Sequence, residues 1–112
     1  MKKIEAIIRP SKVGEVCAAL VEVGHPGVMV FEIEGHGKQN GVEHQARGKT
    51  YKMDMLAKSM IVVVVKDPDL PKIVKAIRDT AYTGKVGDGK IFISTVDDVI
   101  RIRTEEKGEA AI

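Results

Sequence analysis

A strand–helix–strand plan occurs twice along this chain and limits the folds open to it. Ile4 to Ile8 is an apolar run stopped by Arg9-Pro10, with Ser11 placed to cap a helix running to about Val23. Within that helix Val13, Val16, Cys17 and Leu20 follow the i, i+3, i+4, i+7 spacing of one buried face. Gly24 and Gly27 around Pro26 end it, and Val28 to Glu34 then alternates in the manner of a half-buried strand. The order returns with a β-branched strand, Met60 to Val65, and Asp67-Pro68-Asp69 supplies turn and cap chemistry. A second helix is predicted over about Leu70 to Tyr82, with Pro71 in its first turn, where the missing N–H costs nothing. Its stripe of Leu70, Ile73, Val74 and Ile77 lies 57 residues beyond that of the first helix, and Ile61 and Val64 lie the same distance beyond Ile4 and Ile7. Any two βαβ units of similar length would align in this way, so the offset supports a topology without proving a duplication.

With Ile91 to Ser94 as a last strand, the prediction is an α+β fold, a ferredoxin-like βαββαβ sandwich with both helices on one face of an antiparallel sheet. The other face is then left uncovered, and self-association is expected to bury it. Two segments fall outside the plan. Gly35 to about Leu56 is long, polar and glycine-rich without a sustained apolar period, which marks it as either a functional or a disordered loop between strands 2 and 3. After Ser94, residues 95–98 suggest a turn, Val99 to Arg103 an extended piece, and Thr104 to Ile112 a polar, mobile end.

Composition mainly excludes. At 112 residues the chain suits a single domain with one modest core. With two Phe, two Tyr and no Trp, that core must be largely aliphatic. A net charge of +2 with interspersed signs gives no case for nucleic acid or a membrane surface. Cys17 is the sole cysteine, so it forms no internal disulfide, and its place on the apolar stripe favours burial. Nothing reads as a leader or a membrane span, which makes the cytoplasm the default location.

The chemistry concentrates in Thr83-Gly84-Lys85-Val86-Gly87-Asp88-Gly89-Lys90, where three glycines and two lysines share eight residues. Glycines let backbone N–H groups converge on phosphate oxygens, and lysines add charge. From Gly84 to Lys90 the string meets the first seven positions of a Walker A pattern, then fails, because Ile91 replaces the magnesium-binding Ser or Thr. It also connects helix to strand, the reverse of a P-loop. A plain solvated connector is the competing reading. Arg101 and Arg103 favour the phosphate cradle, since residues two apart on an extended segment face one side.

Together, Lys3-Ile4-Glu5-Ala6-Ile7-Ile8-Arg9-Pro10, Gly35-His36-Gly37-Lys38-Gln39-Asn40-Gly41, Arg47-Gly48, Tyr51, the glycine loop and Arg101-Ile102-Arg103-Thr104 resemble the PII signal-transduction family, nearly end to end. The resemblance implies one PII-like domain over 1–112, with a target-docking T-loop at about 37–55, the nucleotide loop at 83–90 and a C-terminal segment at 95–112. It implies a homotrimer with ATP or ADP competing for clefts between subunits, lined by Gly37, Lys38, Gly87, Asp88, Gly89, Lys90, Arg101 and Arg103. It further implies 2-oxoglutarate beside ATP and Mg2+, held through Gln39, Gly41 and Lys58, with the Gln39 amide oxygen on the metal. Arg47 matches a residue that plugs ammonium channels, and Tyr51 a residue modified by uridylylation in some bacteria. Nitrogen-metabolism enzymes, including nitrogenase, are the other implied partners.

This chain departs from the family pattern where Ala46-Arg47-Gly48-Lys49-Thr50-Tyr51 replaces the usual Tyr-Arg-Gly-Ala-Glu-Tyr. Lys38, Asn40, Ala57 and Val62 also differ from the commoner residues. Two other classes remain open. A slow ATP hydrolase or phosphotransferase would need Asp88 as its base, because no triad or carboxylate pair gathers at the loop. A metal-binding oligomer would rest on His36 and His44, eight residues apart on a loop.

Overall fold

The computed structural model describes the backbone of residues 1–35, 42–46, 49–53 and 56–112, and side chains at 1–34 and 57–112. Strand β1 (Lys2–Ile8) leads through a 3-10 turn, Pro10–Lys12, into helix α1 (Val13–Glu22) and strand β2 (Met29–Gly35). A hairpin of β3 (Val42–Ala46) and β4 (Lys49–Met53) precedes β5 (Leu56–Val65), and helix α2 (Leu70–Ala81) leads to β6 (Lys90–Thr95). The four longer-range strands form an antiparallel sheet in the order β2-β5-β1-β6, while β3 and β4 pair separately. This is the ferredoxin-like α+β arrangement that the doubled plan implied.

The register explains the two faces. One row across the sheet joins Val30, Ile61, Ala6 and Ile91, and the next joins Val63, Ile4 and Ile93. On this side Ile4, Ala6, Ile8, Ile61, Val63 and Val65 pack with Val16 and Leu20 of α1 and Ile73 and Ile77 of α2 to make the core. Period-2 strands and period-3.6 helices thus meet on one apolar layer. The opposite side carries the rows Met29–Val62–Glu5–Phe92 and Phe31–Met60–Ile7–Lys90, and among the described residues no helix lies over them. There Met29, Phe31 and Phe92 remain 53, 47 and 54% exposed.

Several boundaries differ from the sequence expectations. Ser11 lies inside the 3-10 turn and makes no capping bond; α1 begins at Val13 instead. Its end falls as expected, with Gly24 at φ +88° and the His25 N–H returning 2.8 Å to the Leu20 carbonyl. Asp67-Pro68-Asp69 makes a 3-10 turn without a side-chain cap, and Tyr82 stands just past α2. Cys17 is only partly buried, against the edge of the core. β5 starts four residues before Met60, and the polar segment contains the β3–β4 hairpin, pairing Val42 with Met53 and Ala46 with Lys49.

The C-terminal segment differs most. Val99 to Arg103 is not a continuous extended piece: Ile100 bridges Lys107, and residues 102–104 turn the chain back on itself. Thr104 to Ile112 is folded back and ends in a 3-10 helix, Gly108–Ala111. Among the described residues, no helix is long and apolar enough to cross a membrane.

Candidate functional site

The site is built where the α2–β6 connection folds over the ends of β1 and β5. Gly84, Gly87 and Gly89 adopt φ of +86, +106 and +97°. Such values are adopted at little cost only by glycine. Gly89 is also pressed against β1: a Cβ there would lie 1.7 Å from the Ile7 carbonyl oxygen. The loop is therefore seated directly on a central strand.

Asp88 fastens the loop to itself. Its Oδ2 accepts the Thr83 and Gly84 N–H groups at 2.8 and 2.9 Å, and its Oδ1 accepts the Thr83 hydroxyl and the Arg9 Nε at 3.2 Å. The Thr83 hydroxyl and backbone N–H, followed by the Gly84 N–H and the Arg9 guanidinium, hold the Asp88 carboxyl far below the usual carboxylate range. Arg9 also donates to the Val86 carbonyl at 2.9 Å. From β5, the Lys58 ammonium donates to the Gly87 carbonyl at 2.5 Å. Ile8 pairs with Ser59, so continuing the register by one residue sets Arg9 opposite Lys58. Partial burial, and then the Arg9 charge, pulls the Lys58 ammonium below the usual lysine range, while Asp88 works the other way.

Two cations at the sheet end are thus tied to one carboxylate and two carbonyls of the loop. Lys90 stands exposed at the start of β6, and a cavity of about 280 Å³ between Ile7, Ile77, Tyr82 and Gly89 adjoins the loop. In the sequence Arg9 marks a strand stop and falls within the Lys3 to Pro10 motif, with nothing to give it a place in the site. No local pattern could link it to Asp88, 79 residues away.

The structure brings together Lys58, Gly87, Asp88, Gly89 and Lys90. Arg101 and Arg103 lie on the C-terminal turn, and among the described residues no hydrogen bond or ion pair joins them to the glycine loop. Gly37, Lys38, Gln39, Gly41, Arg47 and His36 lie outside the described residues, as do the side chains of His44 and Tyr51.

Fold and site together define a small ferredoxin-like protein with a preformed, cation-flanked glycine loop. A family model described as Nitrogen regulatory protein P-II matches residues 1–106. Nitrogen regulatory protein P-II of Rhizobium meliloti is 51% identical over all of both chains. Nitrogen regulatory protein P-II 2 of Methanothermobacter thermautotrophicus is 49% identical, covering all of this chain and 97% of the relative. The crystal structure of Arabidopsis thaliana PII bound to citrate superposes with a TM-score of 0.81 at 38% identity, covering 99% of this chain and 91% of that one. The chain belongs to the P-II family of nitrogen regulatory proteins.

Proposed function

We propose that this chain reports nitrogen, carbon and energy status by binding ATP or ADP together with 2-oxoglutarate, and acts on target proteins through the segment 37–55. The observation that carries this is the glycine loop, held open by Asp88 with its cations already placed. Its N–H groups and Lys90 suit the phosphates, with Gly37 and Lys38 joining from the neighbouring segment. Lys58 suits a carboxylate of 2-oxoglutarate, for which it would give up the Gly87 carbonyl. The citrate carried by the Arabidopsis relative is likewise a small polycarboxylate. Gln39 and Gly41 complete the effector site, and the Gln39 amide oxygen is a reasonable hard ligand for Mg2+ shared with phosphate oxygens.

A homotrimer is the proposed assembly: the uncovered sheet face, where Met29, Phe31 and Phe92 stand exposed, supports self-association, and the family resemblance supplies the number three. Arg101 and Arg103 would then reach the phosphates from a neighbouring subunit. Arg47 and Tyr51 are the proposed contacts to an ammonium channel or a nitrogen-metabolism enzyme, and the cytoplasm is the proposed location. The role is that of a regulator. Asp88 is a poor general base, because its oxygens are committed to four donors and its carboxylate is strongly stabilised.

Isothermal titration tests the central claim. ATP and ADP should each bind and displace one another, and 2-oxoglutarate should bind only with ATP and Mg2+ present. Absence of both nucleotide heats at millimolar concentration would remove the proposal.

A further inference from the structure

The two arginines proposed to meet phosphate are not equally available. Arg103 is exposed and has no ion pair among the described residues, whereas Arg101 is held by its own tail. One guanidinium nitrogen donates to Glu106 Oε1 at 2.8 Å and the other to the Ala110 carbonyl at 3.3 Å. The backbone builds this pair. Ile100 bridges Lys107, and the Arg101 N–H donates to the Glu106 carbonyl at 2.9 Å, so the two residues stand opposite each other across a tight hairpin. The Glu105 N–H closes the turn on the Arg101 carbonyl at 2.8 Å, with Glu105 at φ +61°. A carboxylate oxygen therefore occupies one of the donors that Arg101 could offer to an anion.

We propose that Glu106 is an internal competitor for the anion: its carboxylate engages Arg101, and the nucleotide phosphates must displace it. Resting on the nucleotide-binding function proposed above, this makes Glu106 a positioning residue that weakens affinity. The pair is about half-exposed, so its influence is moderate.

Titration of the full-length protein with ATP tests the proposal. Glu106→Gln keeps the shape and removes the charge, and it should tighten ATP binding by about two- to fivefold. Glu109→Gln makes the same charge change on the same tail without touching Arg101, and should leave affinity unaltered. In an Arg101→Gln background the gain from Glu106→Gln should vanish. Unchanged or weakened binding in Glu106→Gln overturns the proposal. So does a gain that survives Arg101→Gln, which would reveal a general field effect. If the unmodified protein binds no nucleotide, the nucleotide-binding function itself fails, a result distinct from either.

Discussion

The glycine loop and the C-terminal hairpin both offer cations to the same proposed anion, yet they are held in opposite ways. The loop is anchored from outside itself, by Arg9 at the end of β1, by Lys58 on β5 and by contact with the Ile7 carbonyl. The hairpin is held by its own residues, through one surface ion pair and a turn containing a left-handed glutamate. A site wall keyed to the sheet is preorganised before ligand arrives, whereas a wall keyed to itself can exchange its internal partner for the ligand.

The largest effect should come from breaking the loop's seat. Gly89→Ala forces a Cβ into the Ile7 carbonyl at a φ that alanine disfavours, and should cost about 3 kcal/mol or more of unfolding free energy. Urea denaturation checks this, and a loss under about 1 kcal/mol would mean that the loop is not pinned to β1.

Next comes Asp88→Asn. In either amide orientation an N–H2 replaces an acceptor that faces donors, so nucleotide affinity should fall by about tenfold, measured by titration. The pH dependence has a definite sign. A depressed folded-state value means that the carboxylate's stabilising contribution is complete above its unfolded value of about 4 and is lost only as pH falls through the lower folded value. Carboxyl NMR of Asp88 should therefore show no inflection near pH 4; one found there would contradict the fastened loop.

The smallest effect sharpens the hairpin side. Glu105→Gly relieves the positive φ at the cost of unfolded-chain entropy, and should raise stability by about 0.5 kcal/mol. A thermal melt that moves downward would show that the turn carries no strain.

Much of the fold was legible because periodicity does not depend on distant partners. The stripes Val13–Leu20 and Leu70–Ile77 and the alternating strands placed both helices on one face. The β3–β4 hairpin was missed because Val42 to Met53 carries hardly any apolar alternation to announce it. The C-terminal turn was missed because Ile102 to Glu105 contains no glycine, proline or asparagine, and a glutamate takes the left-handed position. At the site, glycine spacing marked the loop, but Arg9, which helps to fasten it, bonds to a residue 79 positions away that no local pattern could point to.

Among the described residues, Lys58 is attached to the loop through the Gly87 carbonyl. In the proposed function a loop bolted to the sheet would make a good receiver and a poor messenger, since little of it is left free to move. Under that proposal Lys58 would be the messenger: it hangs on Gly87 while paired in register with Ile33, so it stands where β2 and β5 enter and leave the segment between them. A ligand that takes its ammonium away from Gly87 would be announced at the root of that segment, with the loop itself staying still.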